Sequence, residues 1–245
     1  TQSDYRAIVG ESLGLIYGYE FDGIYQVDDF YTSAATGKLI LKPGITNNTR
    51  YDGGAAPGVV KYKDQNGDGK ITTADRTVIG NAMPKWFGGI TNSFSFKGID
   101  FSFMLQYSYG NDVFNATRQF ATGSQDQRYN MLAEVADRWS PTNASNKVPS
   151  TKGYVKGDVY SRFVEDGSFL RLKNMTLGYS LPKKWINKIH ISKLRIYGTA
   201  QNLFCISGYS GYDPEVNIQK GLTPGIDNNV TPRSRVYTLG MNLNF

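Results

Sequence analysis

The residues between Asp64 and Asp75 have the types and spacing of a calcium loop. In "DQNGDGKITTAD", Asp64, Asn66 and Asp68 hold positions one, three and five of a twelve-residue frame. Gly69 takes position six, where the backbone must turn sharply, Lys70 offers its carbonyl at seven, Thr72 stands at nine and Asp75 closes the frame. Calcium wants several hard oxygens around one point, and this spacing can deliver them. Without a cation the carboxylates in such a frame repel one another. Asp in place of Glu at position twelve shortens the bidentate arm by one methylene, which favours the weak end of the affinity range, with a dissociation constant on the order of 10⁻⁴ to 10⁻³ M. The same residues also suit a metal-free turn rich in Asn, Gly and Asp. No helical pattern leads into the frame: "AAPGVVKYK" carries Pro57, Gly58 and a β-branched pair, and only "RTVIG" follows before Gly80 and Pro84. The expected ion is therefore structural, and a helix–loop–helix sensor is disfavoured.

Other site chemistry finds little support. Cys205 is the single cysteine, so no internal disulfide forms and a zinc cage has no framework. His190 is the single histidine, no nucleophile elbow accompanies it, and it reads as a surface residue. Asp213 and Glu215 are close in sequence, but nothing beyond proximity marks them as an acid/base pair. The net charge of +6 is spread without a Lys/Arg block, which argues against nucleic acid as a partner. No run of about 18 apolar residues exists, so no membrane-crossing helix is expected.

The elements that would carry such a loop are written in period two. In "RVYTLGMNLNF", Tyr237, Leu239, Met241, Leu243 and Phe245 alternate with Thr238, Gly240, Asn242 and Asn244. In "FSFMLQYSYG", Phe101, Phe103, Leu105, Tyr107 and Tyr109 share one face. "NSFSFKGID" puts Phe94 and Phe96 on one face before a hairpin turn at Lys97-Gly98. "NMTLGYSL" sets Met175, Leu177, Tyr179 and Leu181 against Thr176, Gly178 and Ser180. "KLRIYGTAQNL" sets Leu194, Ile196 and Ala200 against Arg195, Tyr197, Thr199 and Gln201. One or two more strands are expected before Asp64.

Connections alternate short and long: short after Phe96 and between Leu181 and Leu194, long between Tyr109 and Phe169 and between Leu203 and Arg235. That is the rhythm of an outer-membrane barrel with tight turns on one side and large loops on the other. Trp86, Phe87, Tyr107, Tyr109, Trp185 and Phe245 stand where interfacial girdles would lie. A soluble sandwich also alternates, and its aromatics would then form a core or a sugar-stacking platform. Arg171 and Lys173 share the phase of the apolar face, so they are expected above the apolar band, toward the loop end. Met131, Leu132, Val135 and Trp139 have helical spacing, which predicts a short helix inside the long loop.

Several stretches resemble the SusC/RagA-like TonB-dependent transporters of the Bacteroidetes outer membrane. They are "GLIYGYEFDGIYQ", "DQNGDGKITTADRTVIGNAMPKWFGG", "DGSFLRLKNMTLGYSLP", "QNLFCISGYSGYDPEV" and the final "PRSRVYTLGMNLNF". They occur in the family's order and run from about Gly10 to Phe245. The resemblance implies an all-β fold: the C-terminal strands of a large, plugged, 22-stranded transmembrane antiparallel barrel with long external loops. It implies no enzymatic activity. It implies import of oligosaccharides or peptides across the bacterial outer membrane, energised by TonB, under a SusD-like surface lipoprotein, with outer-membrane lipid around the barrel. Five strands leave two open edges, which lipid does not tolerate, so plug, TonB-contact segment and most strands are expected upstream of Thr1. The 64–75 loop is expected on the external side. The rival readings are a dockerin repeat and a soluble, calcium-stabilised β-sandwich that binds carbohydrate. "DQNGDGKITTADRTVIG" does resemble a dockerin repeat, but it stands as one copy and Gly80, Pro84 and Gly88-Gly89 forbid much helix after it.

Overall fold

The computed structural model describes residues 5–123, 129–186, 191–216 and 224–245. His190 lies outside them. The chain divides into two compact units: Thr1–Met83 with Asp112–Glu165 and Val216–Asn229, and Pro84–Asn111 with Asp166–Glu215 and Val230–Phe245.

The second unit is one antiparallel sheet made from the five alternating segments. We label its strands β1 (Trp86–Phe96), β2 (Ile99–Tyr109), β3 (Phe169–Ser180), β4 (Lys193–Ser207) and β5 (Val236–Asn244). Their spatial order is β5-β4-β3-β2-β1, so sequence neighbours pair throughout. The strands run from 9 to 15 residues, long enough to cross a bilayer's hydrocarbon when tilted. β3 starts five residues before the alternation at Asn174, and β4 continues past Leu203, because Phe169 and Ser207 still pair.

Cross-strand register aligns the apolar residues into rows. Phe96, Ile99, Tyr179, Ile196 and Met241 form one; Phe94, Phe101, Leu177, Gly198 and Leu239 form the next. This face is bare. Leu239 is 89% exposed and Phe94 58%, so no second sheet covers it, and the sandwich reading fails here. Trp86 and Tyr109 are paired at one end of the sheet, while Trp185 and Phe245 stand at the other, all of them exposed.

The opposite face uses small residues for a reason the alternation does not reveal. Arg195 on β4 reaches across β3 to Asp100 on β2, with its Nε 2.9 Å from Oδ1. A Cβ on Gly178, which lies between them, would come within 2.6 Å of both partners. The Tyr197 ring crosses Gly240 of β5 in the same way. Thr176 and Thr199 share a hydroxyl contact of 3.1 Å in the next row.

The β1–β2 connection is two residues long, with Lys97 at φ 46° and Gly98 at φ 87°, as a type I′ turn requires. A Cβ at Gly98 would meet the Ser180 carbonyl oxygen at 2.7 Å. Gly98→Ala in the full-length receptor should therefore cost about 1–2 kcal/mol, the ordinary left-handed penalty, and more if Ser180 cannot yield. Heat-induced unfolding of the purified receptor would register this as a lowered midpoint; an unchanged midpoint would mean that the turn relaxes freely.

The first unit is built from short strands around a tyrosine-rich core. Tyr19 and Tyr62 stack at 4.8 Å, and Ile16, Val60, Ile71, Tyr160 and Phe163 close around them. The strands before Asp64 belong here and not to the long sheet: Tyr5–Arg6, Leu15–Gly18, Phe21–Ile24, Phe30–Thr32, Leu39–Leu41 and Val60–Tyr62 form two- and three-stranded pieces. The segment with helical spacing makes only a 3-10 turn, Ala133–Asp137, while the loop's α-helix, α1, lies earlier at Ala116–Gly123. Trp139 packs the loop down, buried and donating from Nε1 to Gln26 Oε1 at 2.9 Å.

Candidate functional site

The 64–75 frame sits between strands. Val60–Tyr62 leads into it, and a 3-10 turn, Thr73–Asp75, leads out to the strand Thr77–Asn81. Its carboxylates organise the turn. Asp64 accepts from the Gly67 amide at 2.7 Å and the Gly69 amide at 2.8 Å. Asp75, fully buried, accepts from Gln65 N at 3.0 Å and Thr72 N at 2.7 Å. Asn66 Oδ1 takes the Asp68 amide and Asp68 Oδ1 takes the Lys70 amide. The Thr72 hydroxyl accepts from Ala74 N and lies 3.3 Å from Asp75 Oδ2. Desolvation opposes charge on Asp64, but the Gly69 and Gly67 amides and the Asp75 side chain outweigh it and hold the Asp64 carboxyl below its usual range.

Positions one and twelve thus both turn their carboxylates onto amides of the loop itself. Among the described residues no three Asp, Glu, His or Cys side chains converge as a metal-holding group. Asp68 Oδ2 is instead taken by Asn66 Nδ2 at 3.2 Å, so ion binding would require Asp68 to turn inward. Asp64 Oδ1 and Oδ2 each accept one of these amides and retain a lone pair for a ligand bond, whereas Asp75 Oδ2 is met by both the amide and the hydroxyl of Thr72.

Sequence reasoning missed what anchors the loop. Ile71, the one large apolar residue in the frame, is fully buried in the core. Asn47 clasps the backbone on both sides, donating to Gly69 O and accepting from Ile71 N, each at 2.9 Å. Ile71's isolated hydrophobicity was the available signal.

A second constellation lies in the other unit. A register shift between Leu172 and Asn174 inserts one residue into β3. Below it Met175 and Leu177 share the apolar face; above it that face passes to Leu172 and Leu170, paired with Leu105 and Tyr107. Arg171 therefore falls on the polar face, paired with Gln106 and Cys205, contrary to the phase expected from unbroken alternation. It is buried, and so is its partner Asp213, whose Oδ1 it meets at 2.5 Å. Glu215 gathers Arg171 at 3.3 Å, Lys173 at 3.4 Å and Arg233 at 3.0 Å. Asp213 and Glu215 are thus ion-pair partners of the strand.

In the first unit Arg118 forks onto Glu134, with Nε–Oε1 and Nη2–Oε2 both 2.8 Å, and reaches Glu165 at 3.0 Å. The Arg118 hydrogen bonds keep Glu134 below the usual carboxylate range. Asp158 pairs with Arg50 at 2.7 Å, but burial dominates and raises its pKa.

A two-faced sheet of long antiparallel strands, bare on its apolar side, with short turns at one end and long excursions at the other, defines a segment of a membrane-spanning β-barrel. No family model matches the sequence. The TonB-dependent receptor P3 of Formosa agariphila is 33% identical over 243 residues, which cover 96% of this chain and 22% of that protein. The TonB-dependent receptor SusC of Bacteroides thetaiotaomicron is 33% identical over 197 residues, covering 80% of the chain and 18% of SusC. A solved structure of the RagAB peptide transporter superposes with a TM-score of 0.67 at 26% identity, over 94% of this chain and 23% of that one. The chain belongs to the SusC/RagA-like TonB-dependent receptors. It spans less than a quarter of the P3 receptor's length. These relatives are receptors and transporters, not enzymes.

Proposed function

We propose that this chain forms part of the wall and loops of an outer-membrane receptor that imports oligosaccharides or peptides. TonB supplies the energy through segments outside this chain, and a SusD-like lipoprotein covers the external mouth. The carrying observation is the sheet whose register gathers large apolar side chains on one bare face and small polar ones on the other. The relatives' names as TonB-dependent receptors, and the likeness to the RagAB peptide transporter, support import as the activity. In a strain lacking the full-length gene, uptake of the cargo should fall to background. A tonB deletion should do the same while surface levels of the receptor stay normal. Uptake that persists without TonB would overturn the reading.

The 64–75 loop is the proposed calcium site of this receptor. Asp64, Asn66, Asp68 and Asp75 would supply side-chain oxygens, the Lys70 carbonyl a further one, and Thr72 would act directly or through water. The frame's carboxylates at positions one, five and twelve around Gly69 support it. Calcium titration of the purified receptor should raise the protection of residues 64–75 from hydrogen exchange, with a midpoint on the order of 10⁻⁴ to 10⁻³ M. Asp64→Asn with Asp68→Asn should shift that midpoint upward about tenfold or abolish it, since ligand charge sets affinity in such loops. Equal protection with calcium and with chelator would leave a metal-free turn.

A further inference from the structure

The short-turn end of the sheet carries lysines and almost no acid. Lys97 stands in the β1–β2 turn. Lys183 and Lys184 open the β3–β4 connection in a four-residue helical turn, Lys183–Ile186. The two connections meet, because the Ser180 amide donates to the Gly98 carbonyl at 2.7 Å. Asp100 is the only acid in Pro84–Asn111, and none occurs in residues 167–212. Asp100 lies on the polar face, where Arg195 holds it. The unit's other acids, Asp166, Asp213 and Glu215, belong to the long-loop end, where β3 begins.

Lys97 leans to the apolar side. Its Nζ is 5.1 Å from the centroid of the Phe96 ring, and Phe96 opens the apolar row that continues through Ile99, Tyr179, Ile196 and Met241. The Tyr179 ring lies under the same turn, with Cε2 3.5 Å from where a Cβ on Gly98 would stand. In the other connection Ile186 is buried and pins the helical turn, while Lys183, Lys184 and Trp185 remain exposed. Strands added beside β1 or β5 would extend the sheet sideways and leave this rim uncovered. The rim therefore joins rings at the edge of the hydrocarbon, an indole that suits the wet boundary, and ammonium groups that no carboxylate of the unit neutralises. A barrel's short turns face the periplasm, so the lipid headgroups of that leaflet lie at this level. A zwitterionic headgroup brings its own cation, which the lysines repel. A headgroup whose phosphate is its sole charge is attracted, and lysine meets phosphate as a point charge.

We propose that Lys97, Lys183 and Lys184, with Trp185, hold the phosphate of an anionic phospholipid of the periplasmic leaflet, whose acyl chains lie on the apolar face of the sheet. This rests on the sheet being a barrel wall and adds a lipid class that the wall selects.

The test is native mass spectrometry of the purified full-length receptor, titrated in detergent with phosphatidylglycerol and with phosphatidylcholine of the same acyl chains. Wild type should hold phosphatidylglycerol more tightly than phosphatidylcholine. Lys97→Gln, Lys183→Gln and Lys184→Gln combined should weaken phosphatidylglycerol binding about fivefold per lysine, the equivalent of about 1 kcal/mol for each cation near an anionic surface, and leave phosphatidylcholine binding unchanged. The combined arginine variant, Lys97→Arg with Lys183→Arg and Lys184→Arg, keeps the charge and should stay near wild type. Equal affinity of wild type for the two lipids overturns the headgroup site. A preference for phosphatidylglycerol that survives in the glutamine variant overturns its assignment to these turns. A receptor that holds neither lipid and stays dispersed without detergent removes the barrel wall beneath the proposal.

Discussion

Leu239→Arg is expected to destabilise the assembled receptor by about 2–4 kcal/mol, the cost of a cation at the midplane of a barrel's lipid face. Leu239 lies in the row of Phe94, Phe101, Leu177 and Gly198, two residues from either neighbouring row, and is 89% exposed. Thr238→Arg is the control. Thr238 pairs with Thr199 on the opposite face, where an Arg would meet hydroxyls and water. Urea titration of both variants refolded into bilayers gives the comparison. A larger cost for Thr238→Arg would mean that the two faces have been exchanged, because a one-residue slip of β5 moves every side chain to the other side, and equal stabilities would mean that Leu239 does not meet lipid.

That prediction draws on the part of the fold that period two makes legible. The five long segments pair in chain order, and the apolar phases of β1, β2, β5 and the lower half of β3 come out as the alternation requires. Even the less regular β4 places Leu194, Ile196 and Ala200 opposite Leu243, Met241 and Tyr237. The upper half of β3 was not legible. A bulge adds one residue without leaving a Gly or Pro to mark it, so Arg171 read as a lipid-phase residue when it is a buried polar-face one. The first unit was scarcely legible at all, because its strands of two to five residues are too short to establish a period, and its core is tyrosine supplied from distant loops. The calcium-type frame was visible residue by residue. Its anchoring by Asn47 was not, because that contact depends on how two loops meet.

The bulge that misled the phase also produces the other large effect. Arg171→Met should destabilise the receptor by about 3–5 kcal/mol, since it leaves Asp213 charged, desolvated and without its cation, while Glu215 keeps Arg233 and Lys173. Lys173→Met removes a cation from the same cluster, but Lys173 is more exposed and only 3.4 Å from Glu215, so about 0–1 kcal/mol is expected. The contrast separates a buried charge from a surface one on adjacent turns of the same bulge. Adding Asp213→Asn to Arg171→Met should restore part of the loss. The amide oxygen can still accept from the Glu215 and Arg233 backbone, while the stranded charge is gone. Thermal unfolding of the purified receptor, with limited proteolysis of residues 208–216, reads both the cost and the release of the loop. If Arg171→Met costs no more than Lys173→Met, or if the double variant is as unstable as the two single losses combined, Asp213 is not held by Arg171. The loop would then owe its place on the polar face to Tyr209 packing and the Lys173–Glu215 pair.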